Sequence, residues 1–338
     1  MNGVREDSPD ISLCLKERDH GSSCVSLSLD TSPAALAVLK RQDEQYRSQD
    51  YLDRRSRRKD ESRDSASCYD VDNILGGDSG VPPQGDDMID AICREKMCEW
   101  GYRISDHFHT SREIVAYAFS FLDRFVDRCN CDRTAFKLAS MTSIYMATKI
   151  FNSKQMSIAS LAELSRGEFS FDHIAEMERI ILQTLDWKLC PPTVQTFVDC
   201  LQTFVPYDDE AINNAVYQRA NFFAELAVYE YSLVTKTRLE IAVSCILNAM
   251  ECIDDSFEMK RKLVKDVEEA FSAYFTVENL DSIQRSLWFL YSCSAQLAED
   301  YTAGEPMVRY PSKQHVSRQR SLSLLEHSPT SVHTRGRF

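Results

Sequence analysis

Residues 138–148 read LASMTSIYMAT, and no residue in the stretch is charged. Small or apolar side chains fall on every side of the helix it would form. A helix apolar all round belongs at the centre of a bundle, with other helices packed around it. Ala139, Ser140 and Ala147 leave room for close neighbours. Lys149 ends the run, and the next charge is Lys154.

Working outward, four more helices are expected around this one, which extends over 133–150. They cover 87–103, 111–128, 158–166 and 171–187. Start signals support them. Thr110 and Glu113 have capping-box spacing, and Asp132, Ser157 and Ser170 are N-cap residue types. Gly167 stands where a C′ residue is wanted. Pro191 and Pro192 read as the stop of the last helix, with Thr193 able to cap the next. A second helical set follows at 194–204, 209–231, 236–252, 256–274 and 278–298. VSCILNAMECI in the second set resembles MTSIYMATKI in the first in position and texture, weak evidence for a duplicated unit. Gly and Pro number only 10 each, which suits helices on short connections. The expected fold is all-α: two tandem five-helix repeats at 86–192 and 193–300. The segments 1–85 and 301–338 are expected to be largely disordered, with a helix-compatible stretch over 34–52.

Net charge is −13, which argues against a phosphate backbone as partner. The 12 cysteines are scattered without C-x2-C zinc spacing, so no metal is expected, and they fit a reducing compartment. No apolar run has the length of a membrane span, and Met1–Asp10 carries no apolar signal core. His107 and His109 do not share a helix face, and neither a phosphate loop nor a nucleophile elbow is present, so no cofactor and no enzymatic activity are expected.

Several stretches at family spacing resemble the cyclins. REKMCEW places Arg94, Met97 and Trp100 in an R-x-x-L-x-x-W-like pattern. FLDRFVDRC is similar to the family's Y-L/I-D-R-F, with Asp123, Arg124 and Phe125 intact. Ala147, Thr148 and Lys149 resemble A-S/T-K. MERIILQTLDWKL, beginning at Met177 and Glu178, is similar to M-E-x-x-I/V-L-x-x-L-x-W/F and runs into Pro191, Pro192 and Thr193. The likeness covers about 90–200, the N-terminal cyclin box.

The resemblance implies a regulatory subunit that binds and activates a cyclin-dependent Ser/Thr protein kinase in cell-cycle control. Lys149 and Glu178 stand at the positions that touch the kinase, with Met146, Ile150, Ile181 and Leu182 as apolar neighbours. A partner helix laid on that surface would be placed in register by the two charges. Arg94, Asp123, Arg124 and Phe125 are implied to be structural. A docking patch for kinase substrates or inhibitors maps to Cys93, Met97, Trp100, Phe136 and Lys137. Lys96 stands where the patch expects an apolar residue, and Ile150, Phe151, Asn152 replace the family's Phe-Glu-Glu. Taken alone, Lys149 is a cation favoured at a helix C-terminus, Glu178 a solvated charge, and Trp100 and Phe125 core.

No Arg-x-x-Leu destruction box precedes residue 90, which leans the reading toward G1/S. The cluster Arg54, Arg55, Arg57, Arg58, Lys59 fits nuclear import, with the cytoplasm as the other compartment. Ser8, Ser32 and Ser328 each precede proline, and Ser321 follows a basic pair at 318 and 320. The alternative function is a non-kinase helical scaffold or a transcription-associated relative on the same fold.

Overall fold

The computed structural model describes residues 33–53, 89–152, 156–253, 256–271, 274–275 and 277–302. The import cluster and the proline-directed serines lie outside them, as does nearly all of the tail expected to be disordered. Among the described residues the fold is all-α, without strands.

The first set comprises α2 (Ala91–His107), α3 (Glu113–Arg128), α4 (Arg133–Phe151), α5 (Ile158–Leu164) and α6 (Phe171–Thr184). From Ala135 to Thr148, α4 is buried apart from Lys137 and Tyr145, and it packs against α2, α3 and α6. The close approach of α2 depends on Gly101: a Cβ there would lie 2.9 Å from the Ile144 Cδ1 atom.

The second set comprises α7 (Val194–Leu201), α8 (Glu210–Tyr229), α9 (Arg238–Ile253), α10 (Phe257–Phe271) and α11 (Leu280–Thr302). Its hub is α9, buried continuously from Leu239 to Met250 and packed on α7, α8 and α11. α8 also touches α2 and α3, joining the two sets.

Local capping explains most helix starts. The Asp132 carboxylate accepts from the Ala135 N–H at 2.7 Å, and the Ser157 hydroxyl accepts from Ser160 N–H at 3.0 Å. Ser170 and His173 form a reciprocal capping box, as do Thr193 and Thr196. The Thr110–Glu113 box does not form. Arg112 is the N-cap of α3 without a side-chain cap bond, and Glu113 instead accepts from the Thr193 hydroxyl at 2.7 Å. Nor do the prolines end α6. It stops at Thr184, and the chain leaves through Asp186 and Trp187, both left-handed at φ +52° and +58°.

In the helix-compatible stretch α1 covers Pro33–Gln45, the chain opens over 46–50, and it turns helical again from Tyr51. The segment 33–53 lies as a strap across both sets. Asp43, fully buried, accepts from the Arg238 guanidinium at 2.8 Å and from the Arg238 backbone N–H at 3.1 Å. The Tyr274 hydroxyl donates to the same carboxylate, and the Lys40 ammonium donates to the Phe271 carbonyl at 2.7 Å. Farther along, the Tyr51 hydroxyl donates to Asp123 at 2.9 Å in the first set.

Candidate functional site

Two cross-helix ion pairs organise the first set. In one, Arg94 of α2 and Asp123 of α3 are both buried. The Arg94 Nε and Nη2 atoms each donate to one carboxylate oxygen of Asp123 at 2.9 Å. The Arg94 Nη1 atom donates to the carbonyl of Val228 at 2.6 Å, at the end of α8. Burial works against the Arg94 cation, but Asp123 outweighs it and holds the guanidinium pKa above its ordinary value. With Tyr51 as a third partner, the pair ties the strap, both helical sets and α2 to one point. Phe125, fully buried, is core. Arg94, Asp123 and Phe125 are thus buried in the joint and the core.

Arg124 departs from that simple role. It is buried and donates to the carbonyls of Ser120 and Lys188, each at 3.0 Å. Its guanidinium carbon lies 4.8 Å from the Tyr46 ring centroid. Burial first, and the Arg238 guanidinium second, depress its pKa to about 9, so it remains a cation at neutral pH.

The other pair lies at the surface. Lys149 of α4 and Glu178 of α6 form a salt bridge, with side-chain exposures of 41% and 18%. The Lys149 ammonium also lies 5.0 Å from the Tyr145 ring centroid, one turn back. Ile150 and Leu182, half-buried, flank the pair. Met146 and Ile181 do not belong to this surface. At 1% and 0% exposure they are core residues beneath it, because their side of each helix faces the bundle. Phe151 stacks on Tyr117 at 3.9 Å.

Phe171 was not among the expected residues, yet it is 52% exposed at the start of α6. Positions 171, 175, 178 and 182 share one helix face by their spacing, so Phe171 and Ala175 continue the stripe that holds Glu178 and Leu182. The i, i+4, i+7, i+11 pattern was available in the sequence.

The expected docking patch is only partly a surface. Cys93, Met97 and Trp100 are half-buried along one face of α2 and packed on the core. Phe136 is buried at 1% exposure, so it supports the patch from below instead of lining it. Lys137 pairs with Glu168 and lies 6.0 Å from the Phe169 ring centroid. Lys96 is exposed beside Met97.

Among the described residues, no group of three or more His, Cys, Asp or Glu is placed to hold a metal, and no helix is long and apolar enough to cross a membrane.

Residues 78–190 match the family model described as "Cyclin, N-terminal domain". A G2/mitotic-specific cyclin-B of Hydra viridissima is 24% identical over 165 residues, 48% of this chain and 40% of that protein. The G2/mitotic-specific cyclin S13-6 of Glycine max is 26% identical over 171 residues, 50% of this chain and 36% of that protein. The chain spans less than half the length of these curated relatives. A viral cyclin structure from herpesvirus saimiri aligns over 55% of this chain and 87% of its own, at 16% identity and a TM-score of 0.43.

Proposed function

We infer that this chain, a member of the cyclin family through its residues 78–190, binds and activates a Ser/Thr protein kinase of the cell cycle through the surface around Lys149 and Glu178. The observation that carries the reading is the surface pair itself. Two opposite charges from different helices meet at the family's positions, partly exposed and flanked by Ile150 and Leu182.

The physics suits an amphipathic partner helix. Half-buried apolar groups offer area to cover, and the two charges can exchange their mutual pairing for partners on the kinase. Charged groups at such an interface set register and orientation more than raw affinity. Activation follows if the docked kinase helix is held where its own Lys–Glu pair forms, a population shift driven by differential contacts. This chain supplies contacts and no chemistry. Ile150, Phe151 and Asn152 lack the family's acidic pair, so partner choice rests more heavily on the α6 stripe, including Phe171.

The test is affinity purification of the tagged protein from its own cells, with phosphate transfer to a Ser/Thr-Pro peptide measured in the eluate. Kinase activity recovered with the wild type and lost with Lys149→Glu, in a variant of unchanged helicity and melting temperature, is the expected result. Equal activity with both forms would refute the assignment. Recovery from synchronised cells would assign the phase.

A further inference from the structure

The C-terminal turn of α6 is left-handed, closed by its own backbone bonds from Asp186 N–H to the Gln183 carbonyl and from Trp187 N–H to the Leu182 carbonyl, each 3.1 Å, and held further from outside. Asp186 and Trp187 are consecutive non-glycine residues at φ +52° and +58°, a region that L side chains avoid. Trp187 is 69% exposed, so packing of its ring does little to stabilise the strain. Strained backbone persists only where surrounding contacts over-determine it.

Besides the turn's own bonds, such contacts come from α3 and the strap. Arg128 donates to the Thr184 carbonyl and pairs with Asp186 at 3.7 Å. Arg124 donates to the Lys188 carbonyl at 3.0 Å. The Tyr46 ring of the strap covers the Arg124 guanidinium, with its centroid 4.8 Å from the guanidinium carbon. Tyr46 is in turn fixed from the second set, because the Arg238 Nη2 atom donates to its carbonyl at 3.1 Å while the same guanidinium grips Asp43. Force on the turn therefore passes from α9 through Asp43, Arg238 and Tyr46 to Arg124 and the residues that follow α6.

We propose that the segment 33–53 is a clamp in cis on the α6 surface. Docked, it holds the turn from Thr184 to Cys190 in its left-handed form with Trp187 outward. Released, it frees Arg124 to solvent and lets the turn relax. Strap docking and partner binding on α6 are then coupled, each strengthening the other by the same factor. Tyr46 and Arg124 act as positioning residues. The coupling to a kinase rests on the function proposed above, whereas the coupling of strap to turn does not.

Hydrogen–deuterium exchange on the full chain tests the clamp. Tyr46→Phe keeps the ring over Arg124 and should exchange like the wild type, whereas Tyr46→Leu removes the ring and keeps an apolar side chain. Loss of the ring over the guanidinium in Tyr46→Leu should speed exchange of the Lys188 amide about fivefold and leave the α9 amides unchanged. Tyr46→Ala should extend faster exchange to the whole of 184–190 and to 33–53. An unaltered Lys188 amide in Tyr46→Leu overturns the proposal, even if Tyr46→Ala fails to fold. So does a Tyr46→Ala protein whose strap is released while 184–190 keeps its protection.

The purified-kinase assay separates the two readings. Kinase recovered with the wild type and reduced with Tyr46→Ala is the coupled result. Kinase recovered equally with both overturns the coupling and spares the assigned function. No kinase with the wild type removes the assigned function, and the exchange result then decides the clamp by itself.

Discussion

The Arg94–Asp123 and Lys149–Glu178 pairs have the same chemistry and opposite surroundings. Each joins two helices of the first set through one cation and one carboxylate. Arg94 and Asp123 are buried, meet at two nitrogens and two oxygens, and make further hydrogen bonds with Val228, Tyr229 and Tyr51. Lys149 and Glu178 meet through one nitrogen and one oxygen at the surface, both partly exposed. A buried pair cannot lose one partner without leaving a desolvated charge, whereas an exposed pair is resolvated cheaply. The first geometry suits a joint and the second a contact held ready for exchange. The two pairs share their chemistry, and burial separates them.

The comparison breaks most visibly at Asp123. Asp123→Ala should cost about 3 to 5 kcal/mol, because the Arg94 cation stays buried without its carboxylate. Urea unfolding followed by circular dichroism measures it, and a loss below about 1 kcal/mol would place the pair in the surface class. Trp100→Ala should follow at about 3 kcal/mol, the lower end for a large aromatic, since Trp100 is half-buried on the core. An unchanged melting temperature would make Trp100 a docking side chain instead. At the surface pair, exchanging the charges with Lys149→Glu and Glu178→Lys together should move stability by no more than about 1 kcal/mol. Kinase activation should still be lost, because the partner meets each charge in the wrong place.

The smallest effect is expected from alkali. Burial, and next to it Asp123, raise the Tyr51 pKa well above 10. Burial likewise raises those of Tyr46 and Tyr274. A folded-state pKa above the unfolded value gives stability that is complete below pH 10 and lost as pH rises through the folded value. The strap should thus stay docked up to about pH 10 and loosen above it, with tyrosinate absorbance and proteolysis within 33–53 rising together. Release beginning near pH 8 would contradict this.

The sequence made the local features legible. Asp132 and Ser157 cap helices three residues away, and the uncharged run around Ser143 could only be a hub. Long-range contacts were hidden. Nothing near Tyr51 announces Asp123, which is 72 residues away. The end of α6 was misread because Pro191 and Pro192 are visible stop signals, whereas a left-handed Asp186–Trp187 turn has no residue signature without glycine. Met146 and Ile181 were assigned to the surface from nearness along the chain to Lys149 and Glu178, but helix face decides exposure, and theirs points inward. Phe171 shows the converse, a surface residue seven positions from Glu178 that only helical spacing brings to the same stripe.

The most direct measurement is kinase activity co-purifying with the tagged protein, wild type beside a Lys149→Ala, Glu178→Ala double variant. The account predicts activity with the wild type and its loss in a double variant whose melting temperature is unchanged within about 2 °C. Undiminished activity in that folded double variant would contradict it.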